Sequence, residues 1–260
     1  METKGPINIA IDAAKTAKEV LPKTTEEADG AISTLVGWFN NVVLFPVKKA
    51  NITYRYKLEC FKEDLYNRVV QIPEQYVREP DIAIAGPALE ALRYTYDTEE
   101  LREMYVKLLA SSVDARKDTV VHPAYIEIIK QMNSYDAKLF QYLVSCKGYI
   151  KAINPDIGIK GTNKSYINAM PEWYVAWGEI DNIFQTSASL VRLSKLGIIE
   201  LMYDRTVSME SYSALENAEP LKNILKKYQG MFPDRELEIR TVKSALYVND
   251  YGKQFAKICL

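Results

Sequence analysis

The chain has 260 residues, is 48% hydrophobic and carries a formal net charge of -1. That length suits one large or two small domains, and that apolar content excludes wholesale disorder. The near-neutral balance excludes a global basic surface of the kind that drives binding to nucleic acid or anionic lipid.

Residues 7–21 read as a short amphipathic helix stopped by Pro22, and 23–30 as a polar linker. The run AISTLVGWFNNVVLFPV at 31–47 holds seventeen residues without a charge, between Asp29 and Lys48-Lys49. It falls short of the roughly eighteen apolar residues that mark a membrane span, and Asn40, Asn41 and Pro46 interrupt it. It reads as a core helix. The alternatives are a membrane or partner segment, with Trp38, Phe39 and Phe45 as its apolar contacts, and an oligomer interface. Residues 51–72 form a second helix, with Ile52, Tyr56, Phe61, Leu65, Val69 and Ile72 on its stripe and Pro73 as its stop. The two make either one rod kinked at Pro46 or a hairpin. Residues 74–79, between Pro73 and Pro80, read as a hinge. Residues 81–94 are helical, and Pro87 either kinks that helix or begins another.

Residues 97–113, DTEELREMYVKLLASSV, show the clearest helix. Asp97 and Glu100 have the spacing of a capping box, and Leu101, Met104, Tyr105, Leu108, Leu109 and Ser112 share one face. The helix belongs in the middle of a helical domain. A charged loop follows at 114–121, and Pro123 suits the first turn of a helix running to Met132. His122, the sole histidine, has no partner at a defined spacing that would make it a general base, and reads as packing near that helix start. The runs GPALEALRYTYDTEELREMYVKLLASSVD (86–114) and VHPAYIEIIKQMNSYDAKLF (121–140) resemble the bacterial abortive infection alpha family. The ending YVNDYGKQFAKICL is similar as well, so the likeness covers about residue 80 to the end. It implies a role in phage defence in which an infected cell stops growing or dies. It carries no catalytic motif onto any residue here.

Ser134 is read as the cap of a helix at 135–146 that buries Leu139, Phe140, Leu143 and Val144. Residues 147–171, rich in Gly, Asn and Pro, read as an insertion or extended loop. Trp173 and Trp177 sit one turn apart in a short helix at 172–177, and 180–196 is helical with Gly197 just past its end. LVRLSKLGIIELMYD (190–204) then resembles the second helix and first wing strand of a winged helix. A returning strand lies at 239–248, and NDYGKQFAKIC is similar to that fold's final helix. Between the strands, 211–230 is too long for a wing; Leu221, Ile224, Leu225 and Tyr228 make it an inserted helix. In a DNA-binding winged helix the outward positions would be Gln185, Thr186, Ser189, Arg192 and Lys195. Glu179 and Asp181 would oppose phosphates there, and the wing lacks a basic cluster apart from Lys222, Lys226 and Lys227 on the insert.

No GxxxxGK[ST], HExxH or GxSxG motif occurs, and no cofactor or metal ligand set is expected. Cys60, Cys146 and Cys259 are odd in number, far apart and without CxxC. They read as buried small hydrophobes in a reducing cytoplasm. The first twenty residues are interrupted by charges and do not read as a secretory signal. The expected architecture is mostly α: a helical bundle over 1–133 (with 1–30 mobile) and a winged-helix-like domain over 134–260 with a small β wing and a helical insert. The expected function is abortive infection through protein or membrane contacts without catalysis. The alternative is a winged-helix DNA-binding regulator. The expected partner is a protein: a phage component, a host factor or a second copy. The expected location is cytoplasmic or peripheral to the inner membrane.

Overall fold

A computed structural model describes residues 26–44, 52–166, 169–178, 182–207 and 211–260. The expected helix at 7–21, Phe45 and Pro46, and the acidic pair Glu179 and Asp181 lie outside the described residues. The fold is mostly helical with one small antiparallel sheet. The helices are α1 (Glu26–Phe39), α2 (Ile52–Val69), α3 (Ile82–Thr95), α4 (Glu99–Ser112), α5 (Ala124–Lys130) and α6 (Ser134–Ser145). Then come β1 (Tyr149–Ile159), β2 (Ser165–Tyr166), α7 (Ile183–Lys195), β3 (Ile199–Met202), α8 (Ser213–Glu216), α9 (Glu219–Met231), β4 (Leu237–Val248) and α10 (Asp250–Cys259). The strand order is β2-β1-β4-β3.

α4 is the axis of the helical part. Beyond the expected face, Val106, Ala110 and Ser111 are also buried, so the helix is covered on nearly every side. It touches α2, α3, α5, α6 and α10. A helix enclosed this way draws its stability from packing rather than from its own caps. Its cap is Thr98, without a side-chain hydrogen bond, and the expected Asp97–Glu100 box does not form. Asp97 instead pairs with Lys57 of α2 at 2.5 Å. Glu100 accepts from Ser134 Oγ at 2.8 Å and faces Lys138 at 3.2 Å. Both acids were free to leave because tertiary partners outbid a local cap.

α1 begins at Glu26, inside the stretch expected to be linker, and packs against α2 and α3. Ala28, Ala31, Ile32, Leu35 and Phe39 are buried. The Phe39 ring stacks on Phe61 at 4.0 Å and 8°, and meets Tyr96 at 5.5 Å. Aromatic pairs of this kind add about 0.5–1.5 kcal/mol beyond the area they bury. α1 passes into a π-helical turn at Asn40–Leu44. On α2, Phe61, Leu65 and Val69 are buried as the stripe predicts, while Tyr56 is 69% exposed. α3 runs unbroken through Pro87.

The stretch at 74–79 is not a free hinge. Glu74–Tyr76 forms a 3-10 turn, and Val77 bridges Asp114. Arg78 donates to both Asp118 carboxylate oxygens, at 2.7 and 2.8 Å. Arg116 lies over the Tyr76 ring at 5.2 Å. The charged loop after α4 therefore holds the segment between α2 and α3.

The largest departure from expectation is β1. Residues 149–159 fall in the stretch whose Gly, Asn and Pro content predicts a loop, and Asn154, Pro155 and Gly158 discourage a strand. They pair with β4 along its whole length, Tyr149 opposite Tyr247 through Ile159 opposite Leu237. Pro155 fits because of its parity. Ile153 N and Ile159 N donate away from β4, to Tyr174 O and Lys164 O. Pro155 shares that parity, so the N–H it lacks would point away from β4. Gly158 leaves room for the Arg240 side chain, which crosses it to reach the carbonyls of Ile159 and Thr162. The expected short helix at 172–177 is likewise absent. That segment is extended, with Tyr174 bridging Ile153 and both Trp173 and Trp177 buried.

The C-terminal order follows the expected strands and helices. α7 ends at a turn with Gly197 at φ 75°, then β3 pairs with the end of β4, and α8 and α9 fill the span between them. Asn249 caps α10 and also donates to Gly197 O at 2.8 Å. Gly252 sits so close to the Ile198 carbonyl that a Cβ could not be placed there. One apolar cluster runs from α1 to α10 and includes residues on both sides of 133. A second lies under α9, between Leu221, Ile153, Ile157 and Tyr212. Of the cysteines, Cys259 is buried, Cys60 is half-buried and Cys146 is exposed, so the expected burial holds for one. Burial pushes the Cys259 thiol up.

Arg116 Nε and Nη2 both donate to Asp114 at 2.8 Å, and the Arg116 backbone N–H adds a third bond at 3.1 Å. The Arg116 side chain leads in holding the Asp114 carboxyl below its usual range, against the opposing effect of burial. A depressed carboxylate stabilises the fold fully above its unfolded pKa, about 3.9, and loses that contribution as pH falls through the folded value. Asp114→Asn should therefore unfold at lower urea than wild type at neutral pH, with the gap closing below pH about 4. A gap that stays constant down that range would contradict the linkage.

Candidate functional site

The face of α7 named from sequence does not point outward as a whole. Asn182 caps the helix, its Oδ1 accepting from Phe184 N at 3.0 Å and Gln185 N at 3.2 Å. From that start, Gln185 and Lys195 are exposed, but Thr186 and Ser189 are 2% and 0% exposed. Thr186 Oγ1 bonds the Tyr135 hydroxyl at 2.6 Å. Ser189 Oγ donates to Asp136. Arg192 donates to both oxygens of Asp136, with Nη2 at 2.7 Å and Nε at 3.1 Å. Thr186, Ser189 and Arg192 thus meet α6, while Gln185 and Lys195 face solvent.

Asp136 was not singled out in sequence, and it joins the two helices. Asn133, not Ser134, caps α6 in a reciprocal box: Asn133 Oδ1 accepts from Asp136 N at 2.9 Å, and Asp136 Oδ2 accepts from Asn133 N at 3.1 Å. The Asn-x-x-Asp spacing at 133–136 is the signal that could have revealed it. The Asp136 side chain is 1% exposed, and its remaining acceptor capacity goes to Ser189 and Arg192. A carboxylate this deep persists because it is paired and hydrogen-bonded.

Beside this junction two clefts share one wall, a ridge of Met170, Pro171 and Glu172 in which only Glu172 is exposed. One cleft, about 450 Å³, lies between the ridge and Phe184, Ala188, Val191 and Lys195 of α7. The other, about 540 Å³, lies between the ridge, Tyr203 and the uncovered part of the sheet at Asn154, Asp156 and Arg240. Asn154 holds the ridge to the sheet, its Nδ2 donating to Glu172 O at 2.6 Å.

The other candidates have these places. Phe39 is fully buried, and Trp38 is half-buried against the same core. No described helix is long and apolar enough to cross a membrane. His122 is exposed, and its Nδ1 accepts from Ala124 N at 3.1 Å, a local bond at the start of α5. Among the described residues no group of three or more His, Cys, Asp or Glu side chains is placed to hold a metal ion.

Asp136→Ala should cost about 3 kcal/mol, toward the low end for a broken buried pair because Arg192 is 40% exposed. Denaturant unfolding checks this. A loss below about 1 kcal/mol, the size of a surface pair, would contradict the role given to the junction.

The abortive infection alpha family model matches residues 53–259, from the first turn of α2 to the end of α10. No curated protein matches the chain. Among solved structures, an uncharacterized protein from the hydrocarbon-degrading marine bacterium Alcanivorax borkumensis SK2 is similar at 16% identity. That likeness covers 55% of this chain and 94% of that chain at a TM-score of 0.31, too low to bear on fold or function. The family match covers well over half of the sequence: the chain belongs to the abortive infection alpha family.

Proposed function

We propose that this chain acts in abortive infection, halting an infected bacterial cell through contacts with other molecules and without catalysis. The observation that carries the role is the family match over 53–259. The C-terminal part is read as a winged-helix-like unit made of α7, β3, β4 and α10, with α8 and α9 inserted in the wing. Support comes from the Gly197 turn, the β3–β4 pairing and the Asn249 cap that ties the last helix to that turn. The unit serves here as a packing and interaction module. With Thr186 and Ser189 buried and Arg192 bound to Asp136, the α7 face offers no case for DNA readout.

The effector in this reading is the segment containing α1. It lies outside the family match and docks through a small set of apolar side chains onto α2 and α3. Its last turn is π-helical, a geometry that recurs at functional sites. Binding of a phage or host component shifts α1 away from α2 and α3, exposing Phe39 and its neighbours to a protein or membrane target. Such a shift requires the trigger to bind the open state better than the closed one.

Trp38 is half-buried where Phe39 is fully buried, so its replacement disturbs the core less than that of Phe39. In a host challenged with phage, Trp38→Gln should abolish protection while leaving the circular dichroism spectrum and expression unchanged. Phe39→Ala, which removes the stack on Phe61 at a cost of about 3–5 kcal/mol, should slow growth without phage. Full protection by Trp38→Gln together with harmless expression of Phe39→Ala would remove α1 from the mechanism.

A further inference from the structure

α7 carries a second apolar stripe, of which the core takes up only Val191. Ile183, Leu190 and Leu193 are buried. Phe184, Ala188 and Val191 recur at four- and three-residue steps on another side, with Lys195 one turn further. Phe184 is 45% exposed, Ala188 is exposed and Val191 is half-buried. An apolar row left facing solvent beside a cleft is a mark of a binding surface. Across the ridge of Met170, Pro171 and Glu172, Tyr203 presents a ring that is 60% exposed.

The two sides of the ridge differ in charge. Lys195 is exposed and makes no ion pair among the described residues, while Arg192 beside it is matched by Asp136. On the sheet side, Glu172 and Asp156 likewise make no ion pair among the described residues. Arg240, the cation in that cleft, is held by Glu238 at 2.8 Å and by the carbonyls of Ile159 and Thr162. Glu172 and Asp156, whose Oδ1 already accepts from Ile157 N at 2.8 Å, form with the exposed Tyr203 ring a set that recognises a guanidinium or ammonium group. The α7 side is apolar and ends in a free cation.

We propose that the two clefts form one docking trough for an extended segment of a partner protein. A basic side chain of that segment lies among Asp156, Glu172 and Tyr203. An apolar side chain packs against Phe184 and Val191, and an acidic side chain meets Lys195. This deepens the interaction reading above and rests on it only for the idea that the chain works through protein partners. Small contact areas of this kind give weak, exchangeable binding.

The test is selection of a random short-peptide library by mRNA display against the full chain, followed by calorimetry on the selected peptides. Enrichment of sequences that join a basic residue, an apolar residue and an acidic residue is expected. Their affinity should fall about tenfold or more in Glu172→Lys and in Phe184→Ser, two substitutions at exposed positions outside the Asp136 junction. No enrichment over an unrelated control protein would overturn the proposal. So would selected peptides that bind both variants as tightly as wild type. The selection uses no infected cells, so its failure leaves the abortive-infection reading standing, and loss of that reading leaves the peptide result standing.

Discussion

The enclosure of α4 is the constraint on which the rest of the molecule depends. Nine of its side chains are buried, from Leu101 to Ser112, and helices that precede and follow it in the chain lie against it. A helix buried on all sides must have its polar ends served by neighbours. Glu100 shows how. Burial would raise its carboxyl, but its own backbone N–H, Ser134 and Lys138 outweigh that and hold it below the usual range. The same contacts fix where α6 begins relative to α4. Arg68 of α2 reaches Glu103 at 2.5 Å on the other side. Charge at the rim of α4 therefore sets the placement of its neighbours, and apolar packing supplies the energy.

From α6 the order passes to α7 through Asp136. One carboxylate closes the cap of α6 and binds Ser189 and Arg192 of α7. α7 in turn leads through the Gly197 turn to β3, and Asn249 and Gly252 fasten α10 back onto that turn. α10 then returns to α4, where Phe255 meets Tyr125 and Phe140. The chain closes on itself around α4, and the clefts beside α7 lie on the outer side of this frame. α1 stands apart: it is packed on α2 and α3 but outside the family match.

Much of this was legible in the sequence, for reasons that differ by element. The helices from α2 to α7 announce themselves by apolar residues at three- and four-residue steps, and α10 by its Asn249 start. β1 was hidden because Asn154, Pro155, Asp156 and Gly158 are turn formers, and only the strand opposite explains their tolerance: Pro155 faces away from β4, and Gly158 admits Arg240. The α7 site was half legible. Gln185 and Lys195 are outside as expected, but Thr186 and Ser189, which a DNA-binding winged helix would turn outward, are buried. Their partners, Tyr135 and Asp136, lie about fifty residues earlier, a distance over which spacing rules carry no information. Tyr56 fell outside the core for the opposite reason: periodicity counts an apolar ring as buried whatever faces it.

The central claim is that the helices that precede and follow α4 fold around it as one unit. Native-state hydrogen exchange measured across a range of low denaturant tests it directly. The account predicts that amides of α4 are the slowest, and that those of α2, α6, α7 and α10 converge on the same opening free energy as α4. Convergence of α6, α7 and α10 on a separate, lower free energy, with α4 still protected, would show that the C-terminal part opens independently and would contradict it.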